Sequence, residues 1–366
     1  MFKNLKAKFL HFYEQYETRF EIGFFVGGFC FDILMMSDVD DVLVIVQQAV
    51  YLLIIASIIH YETLFASLKW APKPDGKIAK MWEFRSLIFS FLMGTLLNMY
   101  SLLYIKSASI LNSILFLALM IGLVVANELP VVKKSHVGIK VGLYGICLFS
   151  FFAILFPVIF GFIGWVPFGL AILATLLAFY AQFKWLKRTL TDDVTLFRAI
   201  LAPGFSVLIF FLAFYFLGLI PPVPLSVNQQ GIYHAIERTN GNYVLSTERT
   251  WWKFWQSGDQ DFKAEPGDKI YFFAEIFSPA RFSDQVYVHW SFLNAKGDWQ
   301  NSDRIPLSVV GGRKQGYRGY AVKSNYQPGS WRVQIKSDNG QEISRLYFDV
   351  TPVAQNAGRV FTQVVR

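Results

Sequence analysis

A few residues in this chain are of types and at places that could carry chemistry. Asp32 lies inside an apolar run, residues 20–37. A carboxylate at the centre of a bilayer costs about 2.5 to 3.5 kcal/mol, so such a group points to ion or proton handling unless it sits hydrated near an interface. Asn127 and Glu128 close another apolar run just before Pro130, Lys133 and Lys134, where a helix-end charge pair is the plainer role. Lys106 stands alone in its link and suits a lipid phosphate or Asp40, although a snorkelling lysine reads the same way. His234 and His289 have no second His, Cys or acid at ligand spacing, so no metal is expected. The stretch "TWWKFWQ" (250–256) sets Trp251, Trp252, Phe254 and Trp255 around Lys253. Aromatic faces beside a cation can stack on sugar rings or grip a partner surface, fill a core, or lie at headgroup level.

No set of residues forms a recognisable catalytic site. There is no G-x-S-x-G elbow, phosphate loop, H-E-x-x-H, glycine-rich dinucleotide turn or cysteine pair. The reading therefore leans away from an enzyme and includes no catalytic residue, cofactor or metal.

The elements that must position these residues follow from composition. Of 366 residues, 54% are hydrophobic and only 16% charged, against roughly one quarter charged in a soluble domain. Seven apolar segments approach the ~20 residues that cross a bilayer: 20–37, 42–60, 86–105, 109–129, 141–160, 165–183 and 199–220. The net charge of +8 does not imply nucleic acid, because sixteen Lys and Arg lie in the N-terminal arm and alternate links, against Lys106 alone in the others. Basic side chains resist translocation, so the asymmetry puts the N-terminus in the cytoplasm and the C-terminal third outside. The expected host is the bacterial inner membrane, with the C-terminal domain periplasmic. Residues 1–19 form a cytoplasmic arm, 20–220 the membrane domain, 221–230 a proline-rich connector, 231–352 a β-sandwich and 353–366 a tail.

The C-terminal part reads as β. "KIYFFAEIF" (269–277), "QVYVHWSFL" (285–293), "GYRGYAVKS" (316–324), "SWRVQIKS" (330–337) and "SRLYFDV" (344–350) are short, aromatic and β-branched. Alternation puts Val286, Val288, Trp290 and Phe292 on one face, and Trp331, Val333 and Ile335 opposite Arg332, Gln334 and Lys336. "EPGD", "AKGD", "YQPG" and "SDNG" mark turns between the runs. About seven strands at this spacing predict an antiparallel sandwich of immunoglobulin or fibronectin type. It has no cysteine and must hold by packing.

The closing stretch, with a His-x-Trp-like strand at "VHWSFL", the turn-strand "PGSWRV" and a final hairpin ending "YFDV", resembles the bacterial family called domain of unknown function 2914. The segments "GFCFDILMMSDVD" (28–40), "YIKSAS", "ANEL" and "IPPVPLS…GIYH" resemble its longer, multi-span members, although Met35 and Asp38 stand where that pattern has Thr and Arg. The resemblance implies architecture and no activity. Three functions stay open at this point. One is a non-enzymatic scaffold or sensor whose periplasmic domain binds an envelope protein, glycan or peptidoglycan. Another is a transporter or ion-coupled sensor using Asp32. The third is an outer-leaflet lipid- or glycan-modifying enzyme using Asp40, Asp41 and His234. Membrane lipids are expected partners throughout, and nucleic acid is not.

Overall fold

The computed structural model describes residues 41–73, 76–107, 110–128, 137–239, 241–278, 285–308, 316–355 and 358–366. The first expected span, with Asp32, and Asp40 in the link after it lie outside them. Apolar helices come first and a β-rich region follows. The helices are α1 (Val42–Ala66), α2 (Lys77–Glu83), α3 (Arg85–Lys106), α4 (Ile110–Glu128), α5 (Val137–Phe160), α6 (Trp165–Lys187) and α7 (Asp193–Phe216). Six of the seven apolar segments thus fall on helices. Among the described residues, α1, α3, α5, α6 and α7 are long and apolar enough to cross a membrane.

Their ends and breaks have local causes. Asp41 caps α1 by accepting from the Leu43 amide at 2.9 Å, which satisfies one of the free donors at a helix start. Asp192 does the same for α7, accepting from the amides of Val194 and Thr195. Residues Phe197–Leu201 of α7 form a π turn just ahead of Pro203. Proline removes a donor and crowds the carbonyl four residues back, and the wider turn accommodates both.

The helical unit is tied by a few polar contacts inside apolar packing. The Tyr100 hydroxyl of α3 donates to Gln48 of α1 at 3.0 Å, and Tyr104 donates to Ser150 of α5 at 3.2 Å. Glu62 of α1 holds Lys140 of α5 at 2.8 Å and Arg85 of α3 at 3.4 Å. Gln48 thus bridges two helices, whereas the neighbouring Gln47 donates to Tyr51 within its own helix. The amide nitrogen of Asn98 is buried and has no hydrogen-bond partner among the described residues.

The β-rich unit spans Pro221–Arg366 and takes in the short segment Pro157–Gly164, whose Ile163 joins its core and accepts from the Asn339 amide at 2.8 Å. Eleven described strands make three sheets. The first is β1 (Ser226–Tyr233), β5 (Ile270–Phe277) and β8 (Tyr317–Lys323), in the order β1-β5-β8. The second orders β4 (Asp261–Ala264), β10 (Glu342–Pro352), β9 (Gly329–Ser337), β6 (Gln285–Leu293) and β7 (Trp299–Ser308). The third, small one is β11 (Thr362–Val365), β3 (Asn242–Thr247) and β2 (Ala235–Thr239). All pairs are antiparallel except β4 with β10.

The first two sheets share one core. Phe272 and Ile276 of β5 meet Val286, Val288 and Trp290 of β6, Val333 and Ile335 of β9 and Phe348 of β10. The Trp290 ring is fully buried, edge-on to Phe272 and Phe348. Phe273, one residue from Phe272, faces the other way and joins Tyr233 and Leu245 in a second cluster under the small sheet. Strand β5 is therefore covered on both sides, which is why its sequence is apolar almost without interruption. Strand β1 begins at Ser226, inside the segment that sequence gives to the connector, and Leu225 just before it is core. The C-terminal segment, read as a tail, ends in β11.

Candidate functional site

Between β3 and β4 the chain makes a loop, residues 248–260, that contains the aromatic run. Two turns shape it, with the Lys253 amide donating to the Thr250 carbonyl and the Gln256 amide to that of Lys253. The Arg249 guanidinium passes beneath and donates to the carbonyls of Lys253 and Gln256 at 3.2 and 2.6 Å. Lys253 and Gln256 both donate to Asp261, and these bonds hold the Asp261 carboxyl below the usual range. At the far end the Ile232 amide donates to the Ser257 carbonyl, and the Asp259 amide donates back to Ile232 at 2.7 Å.

With its polar groups turned inward, the loop presents its rings to solvent. Trp251 is 89% exposed, Trp252 49%, Phe254 80% and Trp255 60%. Phe254 and Trp255 meet edge-to-face at 5.3 Å, and Lys253 lies 5.6 Å from the Trp252 ring centre. The core-filling role that sequence allowed for these tryptophans is excluded. What remains is a contiguous apolar knob, the kind of surface that marks an interaction.

The loop closes on a buried ionic base. Asp259 accepts from the Thr247 hydroxyl at 2.8 Å and the Glu248 amide at 3.1 Å, pinning both ends of the loop. Burial pushes its carboxyl up to about 6. Its Oδ2 lies 3.7 Å from Nε2 of His234, the residue between β1 and β2. The His234 ring stacks on Phe262 at 4.1 Å. Burial, with Arg359 beside it, lowers its pKa to about 4, so it is neutral at pH 7. Arg359 joins the base from the C-terminal segment. It pairs with Asp268 at 2.6 Å, Glu265 at 3.0 Å and Glu248 at 3.6 Å, and donates to the Lys263 carbonyl. Burial works against the Asp268 charge, but the hydrogen bond from Arg359 outweighs it and keeps that carboxyl low. Burial raises Glu248.

The arrangement is a fastening. Three carboxylates around one guanidinium attach the C-terminal segment to the loop base.

The two shifted groups beside each other titrate in opposite senses. Unfolded histidine takes a proton near 6.5 but His234 only near 4, so stability is lost as pH falls through that window. Asp259 takes its proton near 6 when folded and near 3.8 when unfolded, so stability is gained from about 6 downward. The two trends oppose in the wild type. Asp259→Asn removes the second, and acid between pH 6.5 and 4 should then cost on the order of 2 kcal/mol more than in the wild type. The check is the denaturation midpoint followed against pH for both proteins. Parallel profiles would show that Asp259 does not titrate there.

The other residues singled out from sequence are placed as follows. Lys106 is exposed at the end of α3. Asn127 is buried near the end of α4; Glu128 ends that helix, and its side chain is outside the described part. His289 is half-buried in the middle of β6, opposite Arg304 and Gln334 in register, and burial with the nearby Lys336 and Arg304 keeps its pKa low. Among the described residues, His234 and the tryptophans are brought to one region. Asp259, Glu248, Glu265, Asp268 and Arg359 were missed, since no motif spacing links them.

Residues 283–350 match the family model described as a protein of unknown function, DUF2914. The C-terminal region carries a DUF2914 domain. The match runs from just before β6 to Val350 in β10, so the DUF2914 stretch includes His289 and much of the shared core, while the aromatic loop, His234 and Arg359 lie outside it. No curated protein matches the chain. Among solved structures, an immunoglobulin-like protein from Pseudomonas aeruginosa is similar over 35% of this chain and 92% of its own, at 11% identity and a TM-score of 0.22. The alkylpurine DNA glycosylase of Pseudomonas fluorescens, bound to DNA containing an abasic site analog, aligns over 86% of this chain and 99% of its own, at 10% identity and a TM-score of 0.17. Neither superposition is close enough to transfer a property.

Proposed function

We propose that this chain is a non-enzymatic scaffold or sensor of the bacterial inner membrane. Its helices anchor an immunoglobulin- or fibronectin-like sandwich on the periplasmic side, and the sandwich takes hold of an envelope partner, a protein, a glycan or peptidoglycan. The observation that carries this reading is the exposed ring cluster of Trp251, Phe254 and Trp255 on a loop stiffened by Arg249, Asp259 and Asp261. A preordered aromatic surface binds with little further entropy cost. Supporting the anchor are five helices among the described residues that are long and apolar enough to cross a membrane, and supporting the orientation is the sixteen-to-one bias of basic residues between alternate links.

Tryptophans at the centre of an interface commonly contribute 2 kcal/mol or more each. The double variant Trp251→Ala/Trp255→Ala should therefore reduce retention of the detergent-solubilised full chain on purified cell-wall sacculi, or photo-crosslinking to an envelope protein from position 252 in cells, by at least about tenfold. Equal retention and an equal crosslinking pattern for both proteins would refute the reading. A tag after Arg366 that reacts only with a cytoplasmic probe would overturn the orientation.

A further inference from the structure

The helical unit contains a groove that neither the aromatic knob nor the ionic base accounts for. It measures 490 Å³ and lies between α1, α2 and the start of α3, within the roughly 300–1,000 Å³ usual for a small-molecule pocket. Its walls are apolar, with Ile54 and Ile58 from α1, Ile78 and Met81 from α2 and Ile88 from α3. Along α1 it runs from Val50 to Tyr61, which at 1.5 Å per residue is about 16 Å. That is close to half of the ~30 Å hydrocarbon thickness, the depth of one leaflet.

One end of the groove differs from the rest. Tyr61, Trp70 and Trp82 stand there ring against ring, at 4.8 and 5.0 Å, as aromatic side chains do at a headgroup boundary. Arg85 lies beside them, its guanidinium 4.8 Å from the Trp82 ring centre. Glu62 is its partner but is shared with Lys140, so the triad keeps a surplus positive charge. Lys69, Lys73 and Lys80 in the adjoining segment are exposed and make no ion pair among the described residues.

We propose that this groove is a binding site for one anionic glycerophospholipid, with an acyl chain along α1 under Ile78 and Met81 and the phosphate at Arg85, Lys69 and Lys80. The site rests on the membrane-spanning reading of α1 and α3. An apolar channel one leaflet deep selects a chain, and a net-positive rim behind an aromatic collar selects an anion over a zwitterion.

The test uses the full chain, purified and delipidated in neutral detergent, with phosphatidylglycerol and phosphatidylcholine of identical acyl chains as probes and native mass spectrometry as readout. One phosphatidylglycerol per chain should be retained, at least about fivefold over phosphatidylcholine, since a surface lysine or arginine attracts an anionic headgroup by about that factor. Lys69→Gln and Lys80→Gln should each reduce retention by about the same factor. Ser57→Trp, which places a ring in the groove, should abolish it, and Ile54→Trp serves if that variant does not fold. Equal retention of the two lipids, full retention in the groove-filled variant, or a second copy of the chain in place of lipid would each overturn the site. A chain that stays soluble without detergent would sink the membrane reading itself, whereas a membrane-resident chain with no headgroup preference would sink only the site.

Discussion

Replacing Arg359 with alanine should lower the stability of the β-rich unit by about 3 to 5 kcal/mol, the usual cost of leaving buried charges without their partner. The guanidinium is the common cation for Asp268, Glu265 and Glu248, and its side chain and those of the two glutamates are each less than one fifth exposed. Without it, three like charges face one another in a poorly hydrated space. The loss extends along the chain, because Arg359 stands three residues before β11, which is only four residues long and is held by its pairing with β3. The amides of Thr362–Val365 should therefore exchange with solvent much faster in the variant, and the thermal midpoint of the full chain in detergent should fall. Arg359→Lys should recover part of the loss: it restores a charge but cannot reach Asp268, Glu265 and the Lys263 carbonyl together. A drop below about 1 kcal/mol would mean that the carboxylates are hydrated well enough to stand alone.

Much of the fold was legible because burial in these elements follows simple periods. The six apolar runs within the described residues fall on helices since they are long and almost free of charge, and Val286, Val288 and Trp290 alternate because their strand has one face on the core. That same alternation separates the tryptophans. Trp290 lies on an apolar stripe and is buried, whereas "TWWKFWQ" follows neither period and is exposed. Lack of a period in an aromatic run was thus the signal for the knob, and composition alone did not supply it. Strands β1 and β7 escaped because "SVNQQGIY" and "WQNSDRIPLS" carry polar residues on partly exposed faces. Helix α2 is too short to show a period. The ionic base was out of reach for another reason: Arg359 meets Asp268 across 91 positions and His234 across 125, and no local pattern encodes such a meeting. Gln334 shows the limit from the other side. It is opposite the core face, as read, yet it is buried and donates to Glu342, because the side chains on that face cover one another.

Gly258→Ala should be as damaging as loss of Arg359, by a different route. Gly258 has φ +73°, and an L side chain there costs about 1 to 2 kcal/mol before any contact is counted. A Cβ at this position would stand 2.2 Å from the Ile232 carbonyl oxygen and 2.7 Å from its amide nitrogen. Both are backbone atoms of β1, a strand fixed by its register with β5, so the loop must yield instead. Yielding breaks the bonds of Ile232 with Ser257 and Asp259, the two that dock the aromatic loop against β1. The variant should lose about 3 kcal/mol or more in combined strain and lost hydrogen bonds, and its Ile232 and Asp259 amides should lose protection from exchange. Gly297 supplies the comparison: its φ is +86° with nothing within 4 Å of a built Cβ, so Gly297→Ala should cost only the backbone strain, about 1 to 2 kcal/mol. If the two variants melt alike, the close approach of Gly258 to β1 does not hold the loop. If Gly258→Ala melts far lower and also loses partner retention while all four aromatic residues remain in place, the posture of the loop matters for binding as much as its rings do.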